Sequence, residues 1–401
     1  MIKKIFLLIY FISLTSLLFI NSYVLYTLTL NPQVKQNISE IAYTKYISNY
    51  TDSEIEQKKL DKISKSINRE NKLKTIGWIA DWGMSNAVQE FERKAKQFNS
   101  ISPFLFVPNE DGSLKNLQTK LTDRLRNIAN QNNIEFIATI PLFDADILNK
   151  ILNNQESFKR HIDSIIEVVQ RYDFDGIDLD YESTYLADKR LFFDFLEELS
   201  KKLKNIGKKF SFTVIAKWGD KIQYNSLPQT RRVQDYKRIA DLIDEFRIMT
   251  YEFTPRMSRY AGPLSPINWV EKVIQYAINK GVPREKIVIG IHNYAFVWEG
   301  NNILKDFNLT TFYQDIGVLD QKEVLAFNYE DVEAILKNYS NTTFNHPIWQ
   351  ESYSKFIFKN LERVMFFLSQ DNVNARKQLA SEYGLKGVAY WRIGNSGNFI
   401  F

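Results

Sequence analysis

Cysteine is absent from all 401 residues. Disulfides, thiolate nucleophiles and cysteine-ligated zinc or iron–sulfur centres are therefore excluded. Histidine is scarce: His161, His292 and His346 are the only three, and they lie far apart in the chain. A histidine metal site or a histidine-based triad has too little to be built from, so catalysis must come from carboxylates, tyrosines, lysines or hydroxyls. A dominant charge is lacking as well. Lys and Arg number 52 against 47 Asp and Glu, a net charge of +5. That excess is too small and too evenly spread for a nucleic-acid binder, and no nucleic-acid partner is expected. Aromatic rings are plentiful, with 29 Phe, 21 Tyr and 7 Trp. Most rings in any protein are core, and the remainder supply stacking platforms. With 44% hydrophobic and 25% charged residues the chain is globular. Its length suits two or three average domains, or one α/β barrel of about 250 residues with additions.

Residues 5–30, IFLLIYFISLTSLLFINSYVLYTLTL, carry no charge; Lys3 and Lys4 precede them and Lys35 is the next charge. About 20 apolar residues span a bilayer, so this run is long enough. The alternative is a cleaved signal peptide, with an apolar stretch of about 7–15 residues and a small-residue cleavage site. Here the run is longer and contains no alanine. Residues 1–30 are therefore expected to be a signal anchor, a single pass through the cell membrane. The lysine pair keeps the N-terminus cytoplasmic and the rest outside. Residues 31–72 read as a stalk, polar at first and then a charged helical pattern over 53–72.

From residue 73, apolar β-rich runs alternate with amphipathic stretches. The runs are 75–81, 100–107, 134–140, 175–181, 210–216, 246–251, 287–294 and 387–393. Most are continuously apolar, as buried parallel strands are. Helical patterns between them cover 86–98, 114–132, 157–172, 188–206, 235–244, 267–280 and 372–384. Eight such strands predict a (β/α)8 TIM barrel over 73–401. About a hundred residues separate the seventh and eighth runs, so a small α+β insertion is expected at approximately 296–366. Little chain remains after Trp391 for an eighth helix, and the stalk helix at 53–72 is expected to cover that side.

The most informative segment is Phe174-Asp175-Gly176-Ile177-Asp178-Leu179-Asp180-Tyr181-Glu182. Strand alternation turns Ile177, Leu179 and Tyr181 towards the helices, and Asp178, Asp180 and Glu182 into the barrel. Acids in that position must be paired, neutralised or bound to metal. A divalent-cation site and a buried salt-bridge network are two readings. The third is a coupled acid system, in which protons are shared and one carboxyl stays protonated near neutral pH. Glu182 stands last, at the C-terminal end of the strand where barrel active sites lie. A protonated carboxyl there is a general acid.

This segment resembles the D-x-x-D-x-D-x-E signature of glycoside hydrolase family 18, the chitinases and their relatives. Asp175, Asp178, Asp180 and Glu182 fill it on the fourth of eight predicted strands. Met249-Thr250-Tyr251 resembles the family's Met-x-Tyr element, and Trp391 the tryptophan that floors its sugar pocket. Residues 262–298 resemble the branch with bacterial spore-germination and cell-wall-lytic members. Many members carry Asp after the strand-six tyrosine, where this chain has Glu252; that acid touches the substrate acetamido group. The resemblance implies a retaining, substrate-assisted glycosidase with no cofactor and no metal, acting on a carbohydrate polymer or oligosaccharide with N-acetyl groups. It implies Glu182 as acid, Asp180 orienting the acetamido N–H, Asp178 sharing a proton with Asp180, and Tyr251 bonding the acetamido oxygen. Trp391, Met249, Glu252, Trp82 and Asp175 are the expected substrate-binding residues. Weaker candidates are Trp218, Tyr294 and Trp298; Asp144 reads as a helix cap and His292 as core. The chain is expected to act as a monomer. A catalytically silent lectin on the same barrel is the rival reading, and the retained Glu182 favours the enzyme.

Overall fold

The computed structural model describes residues 73–220, 222, 228–304 and 324–401. Fifteen strands lie in these residues. They are β1 (Lys74–Ile79), β2 (Ser100–Pro103), β3 (Phe106–Pro108), β4 (Leu114–Asn116), β5 (Glu135–Leu142), β6 (Gly176–Tyr181), β7 (Lys209–Ile215) and β8 (Glu245–Met249). They continue with β9 (Ile287–His292), β10 (Tyr294–Glu299), β11 (Leu325–Asn328), β12 (Asn341–His346), β13 (Glu351–Phe358), β14 (Leu361–Phe367) and β15 (Gly387–Trp391).

Eight of them close a parallel barrel in the order β1-β2-β5-β6-β7-β8-β9-β15. These are the eight apolar runs of the sequence. Residues on the outer face, such as Ile177, Leu179, Phe210 and Phe212, are buried against helices through Phe192, Phe195 and Leu196. The helix Lys189–Asn205 shows how the pattern works: Phe195, Leu196, Leu199 and Leu203 fall three, four, seven and eleven residues after Phe192, and the five form one buried stripe. Inside the barrel, Ile76, Trp78, Phe104, Val288 and Ala389 form a separate small apolar cluster. Register sets the rest of the interior. Thr139 pairs with Asp178, Asp178 with Ser211, and Thr213 with Arg247. Polar side chains from four neighbouring strands therefore meet at one level.

One expectation needs correction. The helix predicted over 114–132 is a strand and then a helix. β4 pairs antiparallel with β3, and the helix Lys120–Gln131 starts only behind a capping box at Thr119. The side chain of Asn116 accepts from Gln118 N and turns the chain there. Beside β15 the last residues of the chain pack onto the barrel. Phe399 and Phe401 are buried, and the Phe401 ring lies 4.8 Å from Phe98 and 5.1 Å from Tyr390. The helix expected at 53–72 and the membrane anchor expected at 5–30 lie outside the described residues. Among the described residues no helix is long and apolar enough to cross a membrane.

Between β9 and β15 sits a five-stranded sheet in the order β11-β10-β14-β13-β12, antiparallel throughout. Val332 and Ile335 of the helix Tyr329–Asn338 pack on Ala295, Val297, Met365 and Phe367. This small α+β body stands at the C-terminal end of the barrel, following directly on His292.

Candidate active site

The acid row lies where alternation puts it. Asp178 and Asp180 are buried on the inner face of β6, and Glu182 continues the ladder one residue beyond the strand, its N–H bonded to Leu142 O at 2.9 Å. Asp178 sits deepest and is saturated with donors. Trp78 Nε1 lies 3.2 Å from Oδ2, Thr139 Oγ1 3.2 Å from Oδ2, Ser211 Oγ 2.9 Å from Oδ1, and Thr213 Oγ1 3.2 Å from Oδ2. The Arg247 guanidinium adds a charge at 3.3 Å. A carboxyl group so surrounded serves as an acceptor.

Asp180 is the opposite case. No protein donor reaches it among the described residues, and its buried Oδ1 has no hydrogen-bond partner. Burial, with Glu182 and Asp178 as like charges, raises its pKa well above the carboxylate range, against the pull of Arg247. Glu182 is pushed up to about 7, first by burial and then by the charge of Glu252. It is half-buried at the mouth and makes no side-chain hydrogen bond among the described residues. The pair therefore holds protons near neutrality, as a coupled acid system does.

Tyr251 follows β8 and faces the same space. Burial and the nearby acids Asp180 and Glu182 raise its pKa well above the usual phenol value, so it is a donor at any working pH. Room for its ring comes from Gly290 on β9: a Cβ there would stand 2.7 Å from Tyr251 Cε1. Sequence reasoning missed Gly290, because a glycine in an apolar run carries no local sign of what it faces. Met249 ends β8, half-buried, paired with Ile215. Glu252 takes a positive φ of 57°, which turns its side chain to accept from the Tyr294 hydroxyl at 2.9 Å.

Trp391 ends β15 within an aromatic group. Its ring centroid lies 5.3 Å from Phe104, 6.2 Å from Trp82 and 6.3 Å from Trp78. Trp82 is 64% exposed at the end of β1, free to meet a ligand. Phe143, one residue beyond β5, is 52% exposed at the same mouth and was not singled out from sequence. A cavity of about 390 Å³ opens beside Trp391 and is lined also by Glu252, Tyr294, Arg256 and Arg392.

Other candidates fall away from the site. Asp175 lies at the N-terminal end of β6, roughly 23 Å of extended chain from Glu182. Its carboxylate is exposed and accepts from Phe136 N at 2.7 Å, tying β6 to β5. This corrects its assignment to substrate: strand length puts it at the opposite end of the barrel. Trp218 is buried against Trp269 at 5.5 Å, and Trp298 is buried with its indole N–H on Ser258 O. Asp144 caps the helix Ala145–Asn153 through Asp146 N. His292 is buried, its Nδ1 2.9 Å from Tyr294 O, and burial lowers its pKa to about 3. Among the described residues no group of three or more His, Asp or Glu side chains is arranged to hold a metal ion.

A row of carboxyl groups ending in a glutamic acid whose pKa is pushed up, set at the mouth of a (β/α)8 barrel beside exposed rings, is an arrangement suited to a glycoside hydrolase. Residues 33–396 match the family model described as glycosyl hydrolases family 18, and the chain belongs to that family. It is 27% identical over 322 residues to the cortical fragment-lytic enzyme of Bacillus anthracis, covering 74% of this chain and 66% of that one. It is 23% identical over 255 residues to the uncharacterized glycosylase YvbX of Bacillus subtilis, covering 63% and 67%. The chain thus spans about two thirds of the length of these curated relatives. The crystal structure of the Bacillus cereus spore cortex-lytic enzyme SleL has the same fold, with a TM-score of 0.67 and 22% identity over 80% of this chain and 71% of that one. A chitinase from Chromobacterium violaceum gives 0.68 with 17% identity over 81% and 96%.

Proposed function

We propose that the chain hydrolyses β-linked glycan containing N-acetylglucosamine, with retention, using the substrate's own acetamido group as nucleophile. One observation carries this reading. Asp180 presents a buried carboxyl oxygen with no protein donor, and Tyr251 presents a phenol O–H fixed in its protonated form. An acetamido group offers the complement of both: an N–H for Asp180 and a carbonyl oxygen for Tyr251.

The steps follow from the placement of charge. Glu182, protonated up to about pH 7, gives its proton to the glycosidic oxygen. The acetamido oxygen attacks C1 as that bond breaks, and an oxazolinium ion forms. Asp180, holding the N–H, stabilises the positive charge that develops there, above the fixed negative charge of Asp178. Water enters, gives its proton back to Glu182, and opens the ring with the original anomeric configuration. Asp178 and Asp180 share the strand and face of Glu182, so neither is placed to attack from the sugar's far side. Trp391 and Trp82 offer rings on which sugar units stack.

Relatives named as cortical fragment-lytic enzymes and as chitinases support an acetamido-sugar polymer as substrate. The uncharged run 5–30 supports, from sequence, placing the enzyme at the outer face of a membrane. The test uses paired oligosaccharides with and without the acetamido group at the cleaved unit, and NMR of the first product. Cleavage of the N-acetyl substrate alone, with the β-anomer appearing first, is expected. Comparable hydrolysis of the deacetylated substrate, or the α-anomer first, refutes the mechanism. Binding without any turnover would favour the lectin reading.

A further inference from the structure

The barrel interior beneath the catalytic row is not apolar. Lys209 and Lys74 both bond Glu135, and Lys74 also bonds Glu245. Glu245 accepts from Arg247, with Nη2 at 2.9 Å and Nε at 3.3 Å. The same guanidinium turns Nη1 to Ser102 Oγ at 2.7 Å and to Asp178 Oδ2 at 3.3 Å. Charges thus alternate in sign from the lower end of the barrel to Asp178. Arg247 and Asp178 are both 0% exposed. A buried ion pair is a poor stabiliser compared with apolar packing of the same volume. Neighbouring inward positions are in fact apolar, as Ile76, Val288 and Ala389.

We propose that Arg247 is a positioning residue for catalysis: it pins Asp178 as the carboxylate of the buried pair and so makes Asp180 the seat of the shared proton. This rests on the function proposed above.

The groups facing Asp178 divide unequally. β1 sends Trp78, β5 sends Thr139, β7 sends Ser211 and Thr213, and β8 sends Arg247 with Glu245 behind it. Val288 of β9 and Ala389 of β15 are apolar. Towards the mouth stand Asp180, Glu182 and Tyr251. Among the described residues every donor is on Asp178 and none is on Asp180, so the negative charge settles on Asp178 and the proton on Asp180. The neutral donors alone would leave that preference weak, because hydroxyls and an indole serve a protonated acid almost as well. Among the described residues Arg247 is the one cation at that level. Glu245, gripped by Lys74 as well as Arg247, holds the fork in place; burial opposes its ionisation, yet these cations keep its pKa near 2. With the guanidinium present, the pair keeps only one proton down to low pH. Without it, the pair takes up a second proton at higher pH and loses its negative charge beneath the cation-like transition state.

The experiment measures kcat/KM from about pH 3 to about pH 9 on a soluble N-acetyl oligosaccharide, with Arg247→Met, Arg247→Lys and Glu245→Gln/Arg247→Met in the full chain. Circular dichroism checks the fold. The Met variant should move the acid limb upward by about 1–3 pH units, leaving the basic limb and KM near the wild-type values. The Lys variant keeps a charge and should move the acid limb less. The double variant removes charge of both signs and should show the Met shift where the single variant fails to fold. A folded Met or double variant whose acid limb stays within about 0.3 pH of wild type overturns the proposal. So does loss of rate with both limbs unmoved, the mark of a merely structural role. Carboxyl NMR of aspartate-labelled protein reads the same point without turnover. The Asp178 signal, identified by its loss in Asp178→Asn, should differ in its pH dependence between wild type and the Met variant, and an identical dependence overturns the proposal. Wild-type protein that cleaves no acetamido substrate would refute the functional reading instead, and the NMR titration would still decide the role of Arg247.

Discussion

The Glu182→Gln substitution removes a group that the fold holds away from its preferred charge state. In the folded chain the Glu182 carboxyl titrates at about 7, against 4.5 when free in solution. The sign follows from linkage. A raised carboxyl pKa leaves folding unaffected below about pH 4.5, where both states are protonated. Stability is then lost as pH rises through about 7, because the folded state must ionise a group it has desolvated. A tenfold change in a protonation equilibrium is worth about 1.4 kcal/mol, so the upper bound is about 3 kcal/mol above pH 7. The residue is only half-buried, and solvent screening reduces the effect to about 1–2 kcal/mol. Glutamine has the same shape and no charge to lose. At pH 8 the variant should therefore melt roughly 2 °C above wild type, given about 2 cal/mol/K of unfolding entropy per residue in a barrel of about 330 residues. At pH 4 the two should coincide. Turnover should fall by about 10²- to 10⁴-fold or more while glycan binding remains, because glutamine cannot protonate the leaving oxygen. Paired thermal melts at the two pH values, with initial rates on the same samples, test both parts. Equal melting temperatures at pH 8 would refute the desolvated acid. A variant keeping a tenth of the wild-type rate would refute Glu182 as the proton donor.

Two further outcomes follow from the geometry. The basic limb of the wild-type pH–rate profile should fall with an apparent pKa near 7, where Glu182 loses its proton; a rate flat to about pH 9 would mean another group is the acid. Gly290→Ala places a Cβ 2.7 Å from Tyr251 Cε1 and 3.0 Å from Ile248 O, so the tyrosine ring must shift. The expected loss is about 10- to 100-fold in kcat with a smaller change in KM, since a displacement near 1 Å can cost that much; an unimpaired variant would show that the Tyr251 position is not critical.

The sequence by itself determined the barrel strands and the acid row. Both signals are local: parallel strands buried on both faces are continuous apolar runs, and alternation alone turns Asp178, Asp180 and Glu182 inward. The helix at 114–132 was half wrong because Thr119 and its capping box, not the apolar period, decide where that helix begins. Asp175 belonged to the same spacing pattern as the other acids, but a strand is long, and its first residue cannot share a site with its last. Tertiary structure alone decided what surrounds the acids. Trp78, Thr139, Ser211, Thr213 and Arg247 come from four other strands, and barrel closure with one particular register brings them to the level of Asp178. It likewise chose Trp82 over Trp218 as an open ring, made Gly290 the space for Tyr251, and packed Phe399 and Phe401 beside Tyr390. The period-2 alternation of a strand fixes which face a side chain takes, but not which residue of the neighbouring strand stands beside it; that depends on pairing across gaps of 30 residues or more, of which no local pattern carries a trace.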